Sequence, residues 1–566
     1  MADTVEIVGG KSLVRGIPLS QETCLGPLTL GGYVKEIAAR FGPREAAVMR
    51  LGDQVERWTY DDLLAKSMEV ARALIASGVG KGTRVGVLAT NRLEFLSGMF
   101  GATLAGGVAT CLSTFSTPAE LEYLVQSSAC SVLLLERKVL KKDFAQIMID
   151  LEPAIGTAKP SEVVSTKFPY LTHLAIIDGE EGLGAIEGWS TFLARGKNFS
   201  DAQVDARAAC VTPADPGVLL YSSGSTGKPK GVLNGHRGVC LQLWRFAKWF
   251  ATEADVRSWS ANGFFWSGNF CQALGSTLSV GGSLVLQRFF DAPEALSLME
   301  QEQVNMVIAW PHQWAQLEGA PNWATADLSS LKYIDKDSPL GKHPTVKSSY
   351  REPTAYGNTE TFTFSTVYEA NTTDDERRGS FGKVVSGATI KIIDVETGEI
   401  VPIGERGEIA VKCATLMMGY VGTSLDETTD ADGYLRTGDG GYFDNEGRLF
   451  WEGRLNDIIK TGGANVSPVE IDGVIATMPG VKVTKTVGVP DELLGELVVA
   501  CIVPHDDVKL SEDGVRNFVK EQLASYKVPR RVLFFSEEDL SLTGSNKVKA
   551  SDIKALAIKR LEAETA

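Results

Sequence analysis

The sequence predicts an α/β protein with a large amino-terminal domain of parallel-rich sheets, a β-rich subdomain and a small α+β carboxyl-terminal domain. Strand-like apolar runs alternate with helix-length segments from residue 58 to residue 135, which is typical of parallel strands covered by helices. Short strand and turn patterns between residues 404 and 420 indicate the β-rich subdomain. Two strand-like and two helix-like runs fill the last roughly 100 residues, an ordinary size for an appended domain.

The individual elements follow from capping residues and apolar spacing. Thr59 or Asp61 can cap a helix that runs to about Ala76, and Gly78 and Gly80 close it. The next predicted elements are a strand at Arg84–Leu88, a helix at Glu94–Leu104, a strand at Val108–Leu112, a helix at Pro118–Ser127 and a strand at Ser131–Leu135. Farther along, strands are predicted at Gly217–Tyr221, Leu331–Ile334, Val481–Val489 and Val498–Val503, and helices from Gly235, at Ser511–Leu523 and at Ala550–Leu561.

The bulk composition is that of a globular chain with several cores. The chain has 566 residues, of which 44% are hydrophobic and 22% charged. A net charge of −15 disfavours nucleic acid or anionic membranes as the main partner. The eight cysteines contain no C-x-x-C pair, so neither a zinc site nor a disulfide framework is predicted.

Two features bear on location. The first ten residues contain acids and lack the basic-then-apolar order of a signal peptide, which predicts a cytoplasmic protein. Phe95–Leu112 carries no charge, but its glycines and hydroxyl residues favour a buried helix and strand over a membrane span.

A glycine-rich stretch after an apolar strand has the composition of a polyphosphate site. Its glycines let backbone N–H groups approach an anion, its hydroxyls add donors, and Lys228 and Lys230 add positive charge. It is not a Walker A loop, because Ser222 stands where that pattern needs glycine and Pro229 where it needs serine or threonine. A flexible linker is the alternative, but a linker needs no apolar strand before it. The stretch reads Tyr221-Ser222-Ser223-Gly224-Ser225-Thr226-Gly227-Lys228-Pro229-Lys230-Gly231-Val232.

This stretch resembles the phosphate loop of the adenylate-forming superfamily, which contains acyl-CoA synthetases, peptide-synthetase adenylation domains and luciferases. The resemblance extends from about Trp58 to Lys549, with four signatures in the family's order. It implies an adenylation domain at residues 1–455, which binds ATP and the acid, and a mobile domain at residues 456–566. It also implies ATP-binding roles for Ser222, Ser223, Gly224, Ser225, Thr226, Gly227, Lys228 and Lys230, with Thr226 also catalytic.

The second signature is an aromatic residue followed by Gly-x-Thr-Glu, at residues 356–360. The resemblance implies that Tyr356, Gly357, Asn358 and Thr359 contact the nucleotide. Tyr356 offers a flat face for adenine, and the Thr359 hydroxyl can donate to the α-phosphate. Glu360 is a hard oxygen ligand, suited to holding Mg²⁺ and to a catalytic role.

The third signature, residues 434–439, ends at Asp439, whose carboxylate can accept hydrogen bonds from both hydroxyls of a ribose. A plain turn aspartate is the alternative. Arg454 is expected to reach ribose or phosphate oxygens. Asn456 stands where the family has an Asp or Lys hinge, and Gly462 and Gly463 open a loop that relatives turn toward the site during thioester formation.

The fourth signature lies near the carboxyl end. Residues 540–549 resemble the terminal lysine motif of the family, so Lys547 is the expected catalytic residue and a nucleotide contact. Asn546 replaces the usual glycine before it, and a lysine in a polar turn is otherwise simply solvated.

Most of the ten tryptophans lie between the phosphate loop and Tyr356, an interval in which the family places its acyl pocket. Trp266 stands at the expected gate of that pocket, whereas core packing is the main alternative for the others. After residue 334, the charged residues Asp335, Lys336 and Asp337 replace the small residues of the family. Lys336 either meets a polar group of the substrate or pairs with Asp337 in water, and the pairing is the favoured alternative.

The resemblance therefore implies an AMP- and pyrophosphate-forming carboxylate–CoA ligase that uses ATP and Mg²⁺. The tryptophans suggest a bulky apolar or aromatic acid, and a free-standing chain of this length suits coenzyme A as the thiol. The alternatives are a ligase that loads a carrier protein and a nucleotide-binding regulatory homologue with reduced catalysis. A luciferase-type oxygenase is disfavoured.

Overall fold

The computed structural model describes residues 5–565 except 53, 223–228, 462–463, 492–493, 507, 524–526, 537–538 and 540–549. This part of the chain contains two mostly parallel sheets, two antiparallel sheets, a two-stranded hairpin and a carboxyl-terminal sheet. None of its helices is both long and apolar enough to cross a membrane.

The larger mostly parallel sheet has eight strands. The predicted strands Arg84–Leu88 and Val108–Leu112 pair in parallel, with Val85 opposite Ala109. Pairing is parallel up to Pro216–Ser222 and antiparallel over the last two strands. The spatial order is Ile186–Glu187, His173–Ile176, Val132–Leu135, Arg84–Leu88, Val108–Leu112, Pro216–Ser222, Lys230–Gly235 and Gly419–Tyr420.

The second mostly parallel sheet has five strands, and only its last pair is antiparallel. Its order is Met306–Ile308, Arg257–Ser260, Ser283–Leu286, Glu45–Leu51 and Gln54–Thr59. Residues of both sheets and of the helices between them form one hydrophobic cluster.

Two helices in this cluster show why the sequence folds in this way. Thr59 and Asp62 form a reciprocal capping box that starts helix Tyr60–Ala76, as predicted. Helix Leu93–Leu104 is buried at every residue except Glu94, so the uncharged run that begins at Phe95 belongs to the core. A Cβ on Gly101 would lie 2.7 Å from Cγ1 of Val70, so this glycine lets the two helices approach closely.

A buried carboxylate joins the two mostly parallel sheets. Glu136 follows strand Val132–Leu135 of the first sheet and is fully buried. Arg288, just beyond strand Ser283–Leu286 of the second sheet, donates through Nε to Glu136 Oε1 at 2.6 Å. Nη1 of Arg92 lies 3.2 Å from the same oxygen, and Thr90 donates its N–H and its hydroxyl to the other. The charge is thus paired and hydrogen-bonded, as a buried carboxylate requires.

Two antiparallel sheets form the predicted β-rich part. The six-stranded sheet has the order Glu6–Ile7, Leu13–Arg15, Ala388–Ile393, Gly407–Cys413, Leu435–Phe443 and Leu449–Arg454. The three-stranded sheet has the order Thr354–Asn358, Thr363–Tyr368 and Lys383–Val384.

The carboxyl-terminal sheet packs helices on both faces. Its path runs Ala464–Val466, Ile459–Thr461, Gly495–Pro504 and Val481–Asp491, and Arg531–Phe534 pairs with Gly495–Pro504 in parallel. One hydrophobic cluster joins it to helices Pro468–Ile475 and Glu512–Lys520, and a second joins it to helix Ala550–Thr565. The strands and helices predicted in this region are therefore confirmed, with longer bounds for the strands.

One sequence-based expectation outside the predicted site is corrected. Leu331–Ile334 is not a strand: Lys332 and Tyr333 both donate their N–H to the Asn305 carbonyl, and only a single bridge from Tyr333 to Met306 forms. The helix predicted from Gly235 is His236–Trp249, and His236 at its start is fully buried, with its Nδ1 accepting the Leu30 N–H at 3.2 Å.

The remaining helices surround these sheets. The α-helices are Leu30–Phe41, Pro118–Ser128, Phe144–Leu151, Ala154–Thr157, Trp189–Ala194, Asp201–Ala209, Ser267–Asn269, Ser276–Leu278, Ala292–Gln301, Pro311–Glu318 and Asp374–Arg377, with a π-helical segment at Phe270–Gly275. Short 3₁₀ turns occur at Leu19–Gln21, Arg195–Asn198, Trp323–Thr325, Leu425–Glu427 and Leu455–Asp457. The two-stranded hairpin pairs Lys138–Val139 with Lys142–Asp143.

Candidate active site

The glycine-rich stretch connects two antiparallel strands. Strand Pro216–Ser222 pairs with strand Lys230–Gly235, and Ser222 stands opposite Lys230. The predicted phosphate-binding residues between them, Ser223 to Lys228 with Thr226, lie outside the described residues. The strands on either side are described: Ser222 ends the first strand, Lys230 begins the second, and these two residues pair. The pairing shows that the chain continues as a strand after Pro229.

The second signature lies on a hairpin whose backbone is strained. Gly357 has no Cβ, and one added there would overlap the Thr363 carbonyl oxygen. Asn358 Oδ1 accepts the Thr361 N–H at 2.9 Å and closes the turn. Phe362 and Thr363 both have positive φ, 49° and 88°, which is rare for residues with side chains of this size. Strain of this kind marks functional turns, and here it presents the half-buried Thr359 and Glu360.

Glu360 is held by a partner that the sequence did not single out. The hydroxyl of Tyr420 donates to Glu360 Oε1 at 2.8 Å, and the backbone carbonyl of Glu360 accepts the Met417 N–H at 2.7 Å. Nζ of Lys230 lies 4.9 Å from the centroid of the Tyr420 ring, within cation–π range. Tyr420 therefore connects the predicted metal ligand to the strand that follows the phosphate loop.

Asp439 and Arg454 meet because they stand opposite each other on paired strands. Nε of Arg454 lies 3.1 Å from Asp439 Oδ1, and its Nη1 donates to the Thr437 carbonyl at 2.7 Å. The hydroxyl of Tyr356 donates to Asp439 Oδ2 at 2.7 Å. Burial raises the pKa of Asp439, and the Arg454 guanidinium opposes that rise.

This bond gives Tyr356 a role that the sequence did not predict. The ring is only 5% exposed, with the indole of Trp451 beside it at 6.3 Å between ring centroids. Burial is the main cause that raises its pKa, so the phenol keeps its proton and remains a donor to Asp439. Tyr356 thus orients the carboxylate predicted to hold the ribose.

Trp266 lies in an aromatic cluster beside the second signature. Its ring stacks on Phe115 with 5.8 Å between centroids and meets Phe265 edge-on at 5.0 Å. The next residue, Ser267, donates its hydroxyl to Thr359 Oγ1 at 3.4 Å. Phe115 is 40% exposed, so this cluster reaches the surface.

A lysine anchors the loop that carries Phe115. Nζ of Lys142 donates to the carbonyls of Thr114, Phe115 and Ser116 at 3.1, 2.8 and 2.9 Å. Partial burial lowers its pKa, while Glu120 nearby opposes the change. The three bonds keep the exposed phenyl ring over Trp266.

Lys336 and Asp337 form the local pair that the sequence favoured. Nζ of Lys336 lies 2.9 Å from Asp337 Oδ2, and both side chains are exposed, by 38% and 59%. The Lys336 ammonium lowers the pKa of the Asp337 carboxyl. An exposed pair of this kind is weak and leaves Lys336 accessible.

The predicted hinge and the carboxyl-terminal residues are only partly described. Asn456 is exposed within the 3₁₀ turn Leu455–Asp457. Just beyond, the hydroxyl of Ser467 donates to the Glu452 carbonyl and ties helix Pro468–Ile475 to the preceding strand. Gly462, Gly463 and Lys547 lie outside the described residues.

The residues present suit a magnesium ion that arrives with a nucleotide. Among the described residues, no group of three or more His, Cys, Asp or Glu side chains is placed to hold a metal ion alone. Mg²⁺ commonly takes only one or two carboxylates and completes its shell with phosphate oxygens and water. Glu360, a hard carboxylate that accepts the Tyr420 hydroxyl, fits that pattern.

Comparison with known proteins finds two family models that match this chain. Residues 34–421 match the AMP-binding enzyme family, and residues 470–547 match the AMP-binding enzyme C-terminal domain. The chain is 30% identical over 562 residues to the acyl-CoA ligase sidI of Aspergillus fumigatus, covering 94% of this chain and 92% of that protein. It is 28% identical over 530 residues to the indoleacetate–CoA ligase of Aromatoleum aromaticum, covering 92% and 95%.

The fold also matches a solved structure. The anthranilate CoA ligase AuaEII in complex with anthranoyl-AMP superposes with a TM-score of 0.75 at 23% identity, over 96% of this chain and 99% of that one. This likeness establishes the fold, with its large amino-terminal and small carboxyl-terminal domain.

The chain belongs to the AMP-binding enzyme family, which confirms the resemblance to the adenylate-forming superfamily. Within that family it is an acyl-CoA ligase. The residues that sequence reasoning missed are Tyr420, which belongs to the stretch of predicted short strands and turns, and Ser267. Both carry hydroxyls beside predicted site residues, but no spacing in the sequence pairs them with Glu360 or Thr359.

Proposed function

We propose that this ligase joins a bulky, largely apolar or aromatic carboxylic acid to coenzyme A, with Mg²⁺ held at Glu360. One observation carries the assignment of the site: Tyr356 lies on the three-stranded sheet and Asp439 and Arg454 on the six-stranded sheet, and the three form a single hydrogen-bonded cluster. Glu360 lies four residues from Tyr356 and is tied through Tyr420 to Lys230. A nucleotide lying across these groups would have its ribose at Asp439 and its phosphates toward residues 222–230.

In the first half-reaction, a carboxylate oxygen of the acid attacks the α-phosphorus of ATP. An oxygen–phosphorus bond forms, the bond to the bridging oxygen breaks, and pyrophosphate leaves with the electron pair. Negative charge spreads over the phosphoryl oxygens, so positioning and electrostatic stabilisation supply the catalysis. Lys547, Thr226 and the other loop residues are proposed as the donors to these oxygens, and Thr359 as a further donor to the α-phosphate.

Mg²⁺, when bound, neutralises charge on the phosphate oxygens. Glu360 would hold it, and Asp439 and Arg454 would fix the ribose so that the α-phosphorus faces the acid.

In the second half-reaction, the sulfur of coenzyme A attacks the acyl carbon and AMP leaves with the electron pair of the broken carbon–oxygen bond. We propose that the domain at residues 456–566 rotates about Asn456 between the two steps. The rotation would withdraw Lys547 and bring the loop at Gly462 and Gly463 to the site. The exposure of Asn456 in a short turn is compatible with a hinge.

Two observations support a bulky acid. Trp266, Phe265 and Phe115 form an aromatic wall beside Thr359, the proposed donor to the α-phosphate. Stacked aromatic rings of this kind favour flat or bulky apolar groups. The indoleacetate–CoA ligase of Aromatoleum aromaticum, whose name specifies an aromatic acid, is one of the relatives of this chain.

The test is acid-dependent exchange of labelled pyrophosphate into ATP, measured across fatty, aryl and steroid-like acids. Exchange that requires one of these acids supports the first half-reaction, and formation of an acyl-CoA thioester with free coenzyme A supports the second. Exchange without thioester formation would favour loading of a carrier protein. Nucleotide binding with no exchange for any acid would favour a regulatory homologue.

A further inference from the structure

Tyr420 stands between two proposed parts of the site. Its hydroxyl donates to Glu360 Oε1 at 2.8 Å, and its ring lies 4.9 Å from Nζ of Lys230. Glu360 belongs to the strained hairpin, and Lys230 begins the strand after the phosphate loop. One half-buried side chain therefore contacts both the proposed metal ligand and a proposed phosphate contact.

The backbone of Tyr420 is held firmly enough to serve as a fixed support. It pairs with Val232 at the edge of the eight-stranded sheet. On either side, Met418 donates its N–H to the Leu233 carbonyl at 2.7 Å, and Val421 donates to the Gly231 carbonyl at 2.8 Å. The position of the ring is thus set by the strand that leaves the phosphate loop.

The direction of this hydrogen bond matters for metal binding. The Tyr420 hydroxyl supplies the proton, because an ionised carboxylate only accepts hydrogen bonds. A carboxylate oxygen keeps lone pairs beyond the one that accepts this hydrogen bond, so the bond orients Glu360 and leaves it able to bind a cation.

We propose that Tyr420 is a positioning residue, whose hydroxyl orients Glu360 toward the metal of MgATP and whose ring holds the Lys230 ammonium in place. This inference rests on the proposed function. Groups that orient a metal ligand through a hydrogen bond change metal affinity by about 10- to 100-fold when they are removed. The hydroxyl and the ring have separable effects, because the hydroxyl contacts Glu360 and the ring contacts Lys230.

Two variants separate these contributions. Tyr420→Phe removes the hydroxyl and keeps the ring under Lys230, so binding of MgATP should weaken about 10- to 100-fold while binding of AMP without metal stays the same. Tyr420→Leu also removes the ring, and it should weaken ATP binding further even without magnesium. Tyr442→Phe is the matched control, since this ring also lies beside a cation, 5.4 Å from the Arg406 guanidinium carbon, on the six-stranded sheet.

The measurements are titration calorimetry with MgATP, ATP in EDTA and AMP, and the magnesium dependence of pyrophosphate exchange. For Tyr420→Phe, the magnesium concentration at half-maximal exchange should rise at least about tenfold, with the rate at saturating magnesium within about threefold of the wild type. Unchanged magnesium dependence would overturn the inference, as would equal weakening of AMP and MgATP, which indicates a general packing defect. Failure of the proposed function is distinguishable, because the wild-type protein itself would then show no acid-dependent exchange.

Discussion

Replacement of Asp439 by asparagine is the sharpest perturbation of the proposed ribose site. The carboxylate is 4% exposed and is bound by the Tyr356 hydroxyl at 2.7 Å and by Arg454 Nε at 3.1 Å. Asp439→Asn keeps the size of the side chain but replaces one acceptor oxygen with an NH₂ group. That group can accept neither from Arg454 nor from a ribose hydroxyl.

The expected loss follows from the bonds that are removed. A hydrogen bond to a charged acceptor contributes about 1.5–3 kcal/mol, so losing one from the nucleotide should weaken ATP binding about 10- to 100-fold. Stability should change much less. Burial raises the pKa of Asp439, which means that its charge is costly in the folded protein, and asparagine removes that cost together with the Arg454 pair. We expect a change in unfolding free energy of about 1 kcal/mol or less.

The assay combines calorimetric titration with ATP and thermal unfolding. Asp444→Asn is the matched control, because Asp444 also pairs with an arginine, Arg448 at 2.6 Å, and lies toward the opposite end of the same pair of strands. The control should keep the affinity of the wild type. An Asp439→Asn protein that binds ATP within about threefold of the wild type would refute the ribose assignment, and so would equal losses in the two variants.

Three further predictions concern stability and the strained hairpin. Glu136→Ala leaves Arg92 and Arg288 without their buried partner. It should lower the free energy of unfolding, measured by urea titration, by about 3–5 kcal/mol. A loss below about 1 kcal/mol would contradict the proposed role of Glu136 in joining the sheets. Burial, aided by the negative charge of Asp335, raises the pKa of Glu352 to about 7. Folding therefore favours the protonated form of Glu352. The stability that this protonated side chain contributes is lost as the pH rises from about 4.5 through about 7. Glu352→Gln should therefore raise the melting temperature at pH 8 and leave it nearly unchanged at pH 4.5, and an equal effect at both pH values would contradict this. Gly357→Ala should reduce pyrophosphate exchange at least about tenfold, because the added methyl group overlaps the Thr363 carbonyl and displaces the turn carrying Thr359 and Glu360; wild-type exchange would contradict that geometry.

The sequence predicted the four central strands of the eight-stranded sheet, because they are short apolar runs, but it predicted no strand of the five-stranded sheet. Val108–Leu112 was recovered with the same bounds, and the helix from residue 60 was placed by its Thr59 cap. Leu331–Ile334 has the same apolar composition as these strands. It failed as a prediction because pairing depends on where the neighbouring backbone lies, and there the Asn305 carbonyl takes two N–H groups at once.

The candidate site was predictable where residues follow one another and not where they meet across the fold. Tyr356, Glu360, Asp439 and Arg454 were identified by their signatures, but the bond from Tyr356 to Asp439 depends on how the three-stranded and six-stranded sheets pack together. Tyr420 lies at the edge of a third sheet, so nothing in its local sequence links it to Glu360.

The central claim is that one nucleotide is bound jointly by these separate segments, and a crystal structure with ATP and magnesium tests it most directly. The account predicts ribose hydroxyls within hydrogen-bond distance of the Asp439 carboxylate, the metal on Glu360 and the triphosphate along residues 222–230. A triphosphate bound elsewhere, with Asp439 and Glu360 both empty, would contradict it.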